Sequence, residues 1–318
     1  MERPVRRRGS LVSDITLPEE FLEAVRAIAA DNRSGAVALA AQAARALARL
    51  FEREPVKGDA ALVPLALEGA RKVMRAQPEM APMFRLAHGV VLAADRASGP
   101  AEQLGAALRF CLDFETGLKE HSSLTAQAAG ALIRDCDTVL THSFSATVRD
   151  ALLLAHAQGK RFRVICTESR PMLEGITLAA QLGGAGLETH LIVDCAAYLM
   201  LPAARATLVG ADSIGENGVC NKIGTLGLAV AARHAQRRIF TVCGTEKLWP
   251  AGHGAPAPRV RAGQEVMEQP PRGVTAANYY YDWTPLDLFS GIITEVGILT
   301  PEDVRARAAS IETHPALV

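Results

Sequence analysis

The chain has 318 residues with 34 Lys+Arg against 34 Asp+Glu and a hydrophobic fraction of 49%, which suits one or two globular domains with substantial cores and excludes disorder for most of its length. Zero formal charge and a pI near 7.1 exclude the broad cationic surface that non-specific nucleic-acid binding needs, so no direct nucleic-acid partner is expected, and proteins or small ligands are left as partners. The six cysteines (Cys111, Cys136, Cys166, Cys195, Cys220, Cys243) form no C-x-x-C pair and no clustered His completes a zinc site, so no metal or cofactor is expected.

From Leu17 to about Arg134 the sequence is rich in Ala, Leu, Arg and Glu, with apolar residues at three- and four-residue spacing, as in Phe21, Leu22, Val25 and Ile28 or Val37, Ala41, Ala44 and Leu47. This pattern predicts a helical domain over residues 1–134. Pro18, Pro55, Pro78 and Pro82 stand where helices should begin or break, dividing it into four or five helices, the last running from Ala101 into Ile133. The N-terminal Arg3, Arg6, Arg7 and Arg8 are followed by no signal-like apolar core, and no charge-free run of 18 apolar residues occurs. A cytoplasmic protein without membrane association is expected.

At Asp137 the texture changes to short β-rich runs, TVLTHS, RFRVICTE, ETHLIVD, ATLVGAD and RIFTVCG, separated by helical patterns. Strands alternating with helices and apolar on both faces predict an α/β fold, a doubly wound Rossmann-like parallel sheet over residues 135–318. Trp249 to Trp283 is a Pro/Gly-rich excursion closed by Tyr279, Tyr280 and Tyr281. It reads either as a surface loop pinned by an aromatic patch or as a cover for a ligand or subunit contact. The tail from Thr284 is expected to be helical, with Thr-Pro starts at TPLDL and TPEDV.

In such a sheet, ligands bind beyond the carboxyl ends of the strands. Those ends carry Thr141-His142-Ser143 with Ser145, Thr167-Glu168-Ser169-Arg170, Asp194-Cys195, Asp212 with Asn221-Lys222, and Gly244-Thr245-Glu246-Lys247. Any single member has a plain alternative: Thr141, Ser145 and Ser169 as helix caps, Asp212 as a turn cap, Lys222 as a solvated cation. Asn221 and Lys222 read as the start of the next helix, whose N-terminus with the lysine would cradle a phosphate. There is no Walker A sequence and no G-x-G-x-x-G after the first strand, which argues against a dinucleotide site.

The segments THSFS, TESRPMLEG, DCAAYLM, GADSIGENGVCNKIGT and TPLDLFSGIITEVGILTPEDV, in this order, resemble the initiation factor 2B alpha/beta/delta family. That family includes methylthioribose-1-phosphate isomerase and ribose-1,5-bisphosphate isomerase. A weaker likeness extends into DNRSGAVALAAQAA, which is similar to the family's N-terminal Arg-Gly-Ala ligand region.

The resemblance implies that Asp212 is the isomerases' proton-transfer acid, that Asn221 and Lys222 are the substrate-contacting pair, and that Arg33, Gly35, Ala36 and Arg170 belong to the substrate-binding set, the two arginines on phosphate. It departs at Ser143, which stands where the isomerases carry a catalytic cysteine. A hydroxyl is far less acidic than a thiol, and nothing nearby in sequence activates it. Cys195 and Cys220 are candidates for a relocated thiol, or are packing residues; His142 is either a base or a structural residue. Two functions follow: a sugar-phosphate isomerase that replaces the missing thiol, or a non-catalytic sensor of a sugar phosphate or nucleotide, resembling a regulatory subunit of the exchange factor for translation initiation factor 2. The apolar tail residues Leu286, Leu288, Phe289, Ile292 and Ile293 suggest a homodimer interface, or else pack within their own subunit.

Overall fold

Five helices open the chain: α1 (Glu19–Ala30), α2 (Ala36–Arg53), α3 (Leu62–Ala76), α4 (Ala81–Asp95) and α5 (Pro100–Ala131). The computed structural model describes residues 15–53, 62–254 and 259–318. Alanines along one side of α2 (Ala36, Ala40, Ala43, Ala44) are fully packed, and their small side chains let the neighbouring helices approach closely around Leu39, Leu47 and Phe51. Pro18 precedes α1, Pro82 sits in the first turn of α4 and Pro100 opens α5. These are positions where the missing N–H costs no helical hydrogen bond. Pro78 falls in the turn between α3 and α4, and Pro55 lies outside the described residues.

The α/β region follows as β1 (Thr138–His142), α6 (Ala146–Ala157), β2 (Arg163–Thr167), α7 (Glu174–Gly184), β3 (Glu188–Ile192), α8 (Ala197–Met200) and β4 (Ala206–Val209). Then come β5 (Ser213–Gly215), β6 (Gly218–Lys222), α9 (Thr225–His234), β7 (Arg238–Val242), β8 (Val260–Arg261), β9 (Asn278–Tyr279) and β10 (Tyr281–Thr284). The chain ends with β11 (Gly291–Thr294), β12 (Gly297–Leu299) and α10 (Pro301–Ala309). The main sheet has the order β12-β11-β7-β4-β1-β2-β3 and is parallel except for β12.

Alternate strand residues feed two separate cores, as the two-residue period of a strand requires. Leu140, Ile165, Val209, Ile239 and Ile292 pack with α8, α9 and α10, whereas Val139, Val164, Leu208, Phe240 and Ile293 pack with α5, α6 and α7. The sheet is therefore doubly wound, and all five predicted strand runs are present.

Two expectations are corrected. TPLDL opens only a short 3-10 turn, Leu286–Leu288, after which the chain forms the β11–β12 hairpin; TPEDV does open a helix, with a Thr300/Asp303 capping box. The adjacent Ile292 and Ile293 are buried on opposite faces of the sheet, which suits a strand and not a helix stripe. Leu286, Phe289, Ile292 and Ile293 are all under 8% exposed and Leu288 packs on the same core, so this stripe fills its own subunit and is not a dimer surface.

Secondly, Asn221 and Lys222 do not begin a helix. They end β6, the centre of a three-stranded antiparallel sheet between β5 and β10. No helix among the described residues is long and apolar enough to cross a membrane.

Candidate active site at the strand ends

β1 and β4 are neighbours at the centre of the sheet, and the chain winds outward from them in opposite directions, which opens a crevice beyond their carboxyl ends. Ser143, immediately after β1, has a left-handed backbone (φ 71°). Its N–H donates to Ser169 Oγ at 2.8 Å and its hydroxyl donates to Glu174 Oε1 at 2.9 Å. Lys222 Nζ reaches the same Oε1 at 2.7 Å. Glu174 Oε2 is buried and accepts no hydrogen bond among the described residues. The Tyr280 ring lies between two cations, Lys222 Nζ at 5.0 Å and Arg261 at 4.9 Å from its centroid.

Asp212 follows β4 and is held by its backbone: its N–H donates to Cys220 O at 2.9 Å and its carbonyl accepts from Ala81 N at 3.1 Å, at the start of α4. Its carboxylate makes no hydrogen bond among the described residues. Burial pushes its pKa up, against the pull of Lys247 and Lys222, and the Glu174 and Glu79 charges push the same way as burial. Lys247 donates to the carbonyl of Ala211. Asp212 is thus a carboxylate with raised proton affinity beside two ammonium groups, the environment expected of a proton-transfer group.

His142 resolves to the structural reading. Nδ1 meets Thr167 Oγ1 at 2.7 Å and Nε2 meets Ile223 O at 2.9 Å; burial pushes its pKa down. A neutral ring donating from Nε2 to the carbonyl and accepting at Nδ1 from the hydroxyl satisfies both bonds. Neither relocated thiol is supported. Cys220 is buried, with its pKa pushed well up by burial and then by Asp212, and Cys195 is exposed in the turn after β3 and, among the described residues, hydrogen-bonds to neither Asp212 nor Lys222.

The expected phosphate cradle at the next helix is already filled. Asp282 accepts from Gly224 N at 2.7 Å and from Leu226 N at 3.1 Å, so the α9 N-terminus carries a carboxylate of the chain itself. Asn221 turns away from Lys222 and donates to Thr225 Oγ1 at 3.0 Å. Arg170 is exposed; its backbone N–H is held by Asp194 Oδ2 at 2.7 Å, and its guanidinium donates to Val266 O at 3.1 Å. Its side chain therefore ties the strand ends to the long excursion, which folds back over them with Tyr280 and Asp282.

Arg33, Gly35 and Ala36 lie where α1 turns into α2. Asp31 Oδ1 accepts from Arg33 N and Ser34 N at 2.8 Å each, and Gln77 Nε2 donates to Ile28 O and Asp31 O. Among the described residues no hydrogen bond or ion pair joins the Arg33 guanidinium to Lys222 or Asp212. The structure brings together Ser143, Lys222 and Asp212; it adds Glu174 and Lys247, which were not among the predicted site residues. Lys247 carried a signal in its strand-end position, but Glu174, the first residue of α7, reads in sequence as an ordinary acidic helix start.

A model of the Initiation factor 2 subunit family matches residues 32–301. The chain belongs to this family. It is 33% identical over 289 residues (90% of this chain, 98% of the relative) to a protein of Pyrococcus horikoshii named putative translation initiation factor eIF-2B subunit 2-like. It is 31% identical over 294 residues to the ribose 1,5-bisphosphate isomerase of Archaeoglobus fulgidus, covering 89% of this chain and 91% of that one. Among solved structures, the translation initiation factor eIF-2B of P. horikoshii superposes with a TM-score of 0.78 at 31% identity, covering 91% of this chain and 100% of the other.

Proposed function

We propose that this family member binds a phosphorylated sugar in the crevice between β1 and β4 and interconverts its aldose and ketose forms, as an isomerase of the ribose-1,5-bisphosphate or methylthioribose-1-phosphate type. The observation that carries this reading is Asp212: a carboxylate whose pKa burial raises against the charges of Lys247 and Lys222. Opening a cyclic aldose 1-phosphate breaks the bond from C1 to the ring oxygen. The hydrogen on C2 moves to C1, the O2 hydroxyl loses its proton to leave a C2 carbonyl, and the freed ring oxygen gains one. Asp212 is assigned the transfer between the carbons, and Lys222, Lys247, Arg170 and Arg33 the neutralisation of phosphate and developing oxygen charge. Asn221, Gly35 and Ala36 complete the binding set.

The second reading, a sugar-phosphate or nucleotide sensor of the regulatory-subunit kind, is favoured by one observation: the hydroxyl of Ser143, at the position where the resemblance implies a catalytic cysteine in the isomerases, is engaged with Glu174. To either reading belong the division into domains 1–134 and 135–318, a cytoplasmic location and a homodimer formed through a face other than the buried tail stripe. The test presents purified protein with a panel of aldose phosphates, following ketose formation by phosphorus NMR and the melting temperature in parallel. Stabilisation with ketose formation is expected. Stabilisation without turnover would leave the sensor, and a protein that neither binds nor converts any of the panel would overturn both.

A further inference from the structure

Resting on the isomerase reading, one requirement is still open. An aldose-to-ketose shift moves one hydrogen between carbons and one proton between oxygens, and a single carboxylate serving both must travel between them. The pocket holds a second carboxylate whose environment sets it apart from an ordinary salt bridge. Glu174 Oε1 is saturated, by the Ser143 hydroxyl at 2.9 Å and Lys222 Nζ at 2.7 Å. Oε2 of the same group is buried without a partner, which is an expensive arrangement for a carboxylate unless a ligand hydroxyl completes it. Ser143 is itself fixed in a left-handed backbone by Ser169 and is 9% exposed. The network therefore pins one oxygen of Glu174 and leaves the other without a hydrogen-bond partner among the described residues.

We propose that Glu174 is the second proton-transfer group of this site, its Oε2 taking the proton from the substrate's O2 hydroxyl and delivering it to the oxygen released from C1. In the closed ring O2 and the ring oxygen are carried on the adjacent carbons C2 and C1, so a single carboxylate oxygen placed beside that bond can serve both as the ring opens. The proton count closes: O2 loses one, Glu174 carries it, the released oxygen gains it, and Asp212 independently returns to C1 what leaves C2. Ser143 acts through Glu174 as a positioning residue. Lys222, 2.7 Å from Glu174 Oε1, offsets charge on the departing oxygen.

The test compares wild type, Glu174→Gln, Glu174→Asp and Ser143→Ala on ribose 1,5-bisphosphate and 5-methylthioribose 1-phosphate. Glu174→Gln keeps the shape and an oxygen for Ser143, and kcat is expected to fall about 10²- to 10⁴-fold with KM within about threefold, while the pH profile of kcat loses one ionisation. Ser143→Ala is expected to lower kcat less and to retain that ionisation. A merely structural Glu174 would change the melting temperature and leave the profile alone. An active wild type whose Glu174→Gln variant keeps kcat and the full pH profile overturns the role of Glu174 and spares the isomerase reading. A wild type inert on both substrates removes the isomerase reading and this role together. Should Glu174→Gln not fold, the shortened carboxylate of Glu174→Asp decides: unchanged kcat in that folded variant overturns the proposal.

Discussion

The strand-end crevice and the groove between α4, α5 and the segment after α10 are both lined with charge, yet they differ in what that charge is doing. The groove is about 620 Å3 in volume and is lined among others by Arg85, Arg96, Phe110, His121, Glu246 and Glu312. Several of its charges pair within the chain: His121 Nδ1 lies 3.1 Å from Glu246 and 3.7 Å from Glu295, and Arg96 pairs with Glu312 at 2.6 Å, while burial pushes the pKa of Arg85 down against the Glu246 charge. In the crevice one oxygen of Glu174 has no hydrogen-bond partner among the described residues, and burial outweighs the Lys247 and Lys222 charges at Asp212. Empty volume alone is a poor guide to chemistry; unsatisfied charge held in place by the fold is the better one.

The comparison breaks if charge removal in the crevice is harmless. The largest effect is expected from Asp212→Asn: turnover down about 10²- to 10⁴-fold, with sugar-phosphate binding within about tenfold, since a proton acceptor is removed without removing bulk. The same variant carries a pH signature. A carboxyl whose folded pKa is raised stabilises the fold below its unfolded pKa, and this contribution is lost as pH rises through the folded value. Melting curves of Asp212→Asn and wild type should therefore diverge in the variant's favour as pH increases. Wild-type turnover, or the opposite pH trend, would count against Asp212.

Next in size is Lys222→Ala. Lys222 is 6% exposed and its removal leaves Glu174 ionised in a buried site, so a destabilisation of about 3 kcal/mol is expected by chemical denaturation. Affinity for a phosphorylated sugar should also weaken by about 1.5–3 kcal/mol in titration calorimetry. Unchanged affinity would move the phosphate away from Lys222.

The smallest effect is expected in the groove. The hydrogen bond to Glu246 raises the pKa of the part-exposed His121 against the opposing effect of burial, and the Glu295 charge adds to the rise. The sign follows from a raised folded value: the stabilisation is complete below the ordinary histidine pKa of about 6.5 and is lost as pH rises through the folded pKa. His121→Ala should cost less than about 1 kcal/mol near pH 6, less still near pH 9, and nothing in turnover. A large loss of turnover in this variant would erase the contrast between the two regions.

The parallel strands were legible because each is a short apolar run followed by a polar end, and Asp212 and Ser143 stand out because they sit at such ends. The antiparallel pieces were not. Gly215-Glu216-Asn217-Gly218 is a two-residue connection between paired glycines and is readable as a hairpin, but the polar Asn221 and Lys222 that follow have the chemistry of a helix start. β11 escaped because Thr-Pro starts a helix as readily as the 3-10 turn found here. Glu174 could not have been found from its neighbours in sequence: its partners Ser143 and Lys222 come from other elements, and only the meeting of β1, α7 and β6 makes it more than a helix-opening acid.

Strand parity at the end of β6 has a consequence for how this site can change. Asn221 and Lys222 are both almost fully buried, yet one is spent on Thr225 and the other on Glu174, because consecutive strand residues face opposite sides. Their roles are set by an even–odd count from the Glu216-Asn217 turn, with β5 and β10 holding the count from either side. Insertion or deletion of a single residue within β6 would exchange the two, sending the amide toward Glu174 and the ammonium toward Thr225. Length variation in this chain should therefore be tolerated in its long excursion and forbidden in this strand.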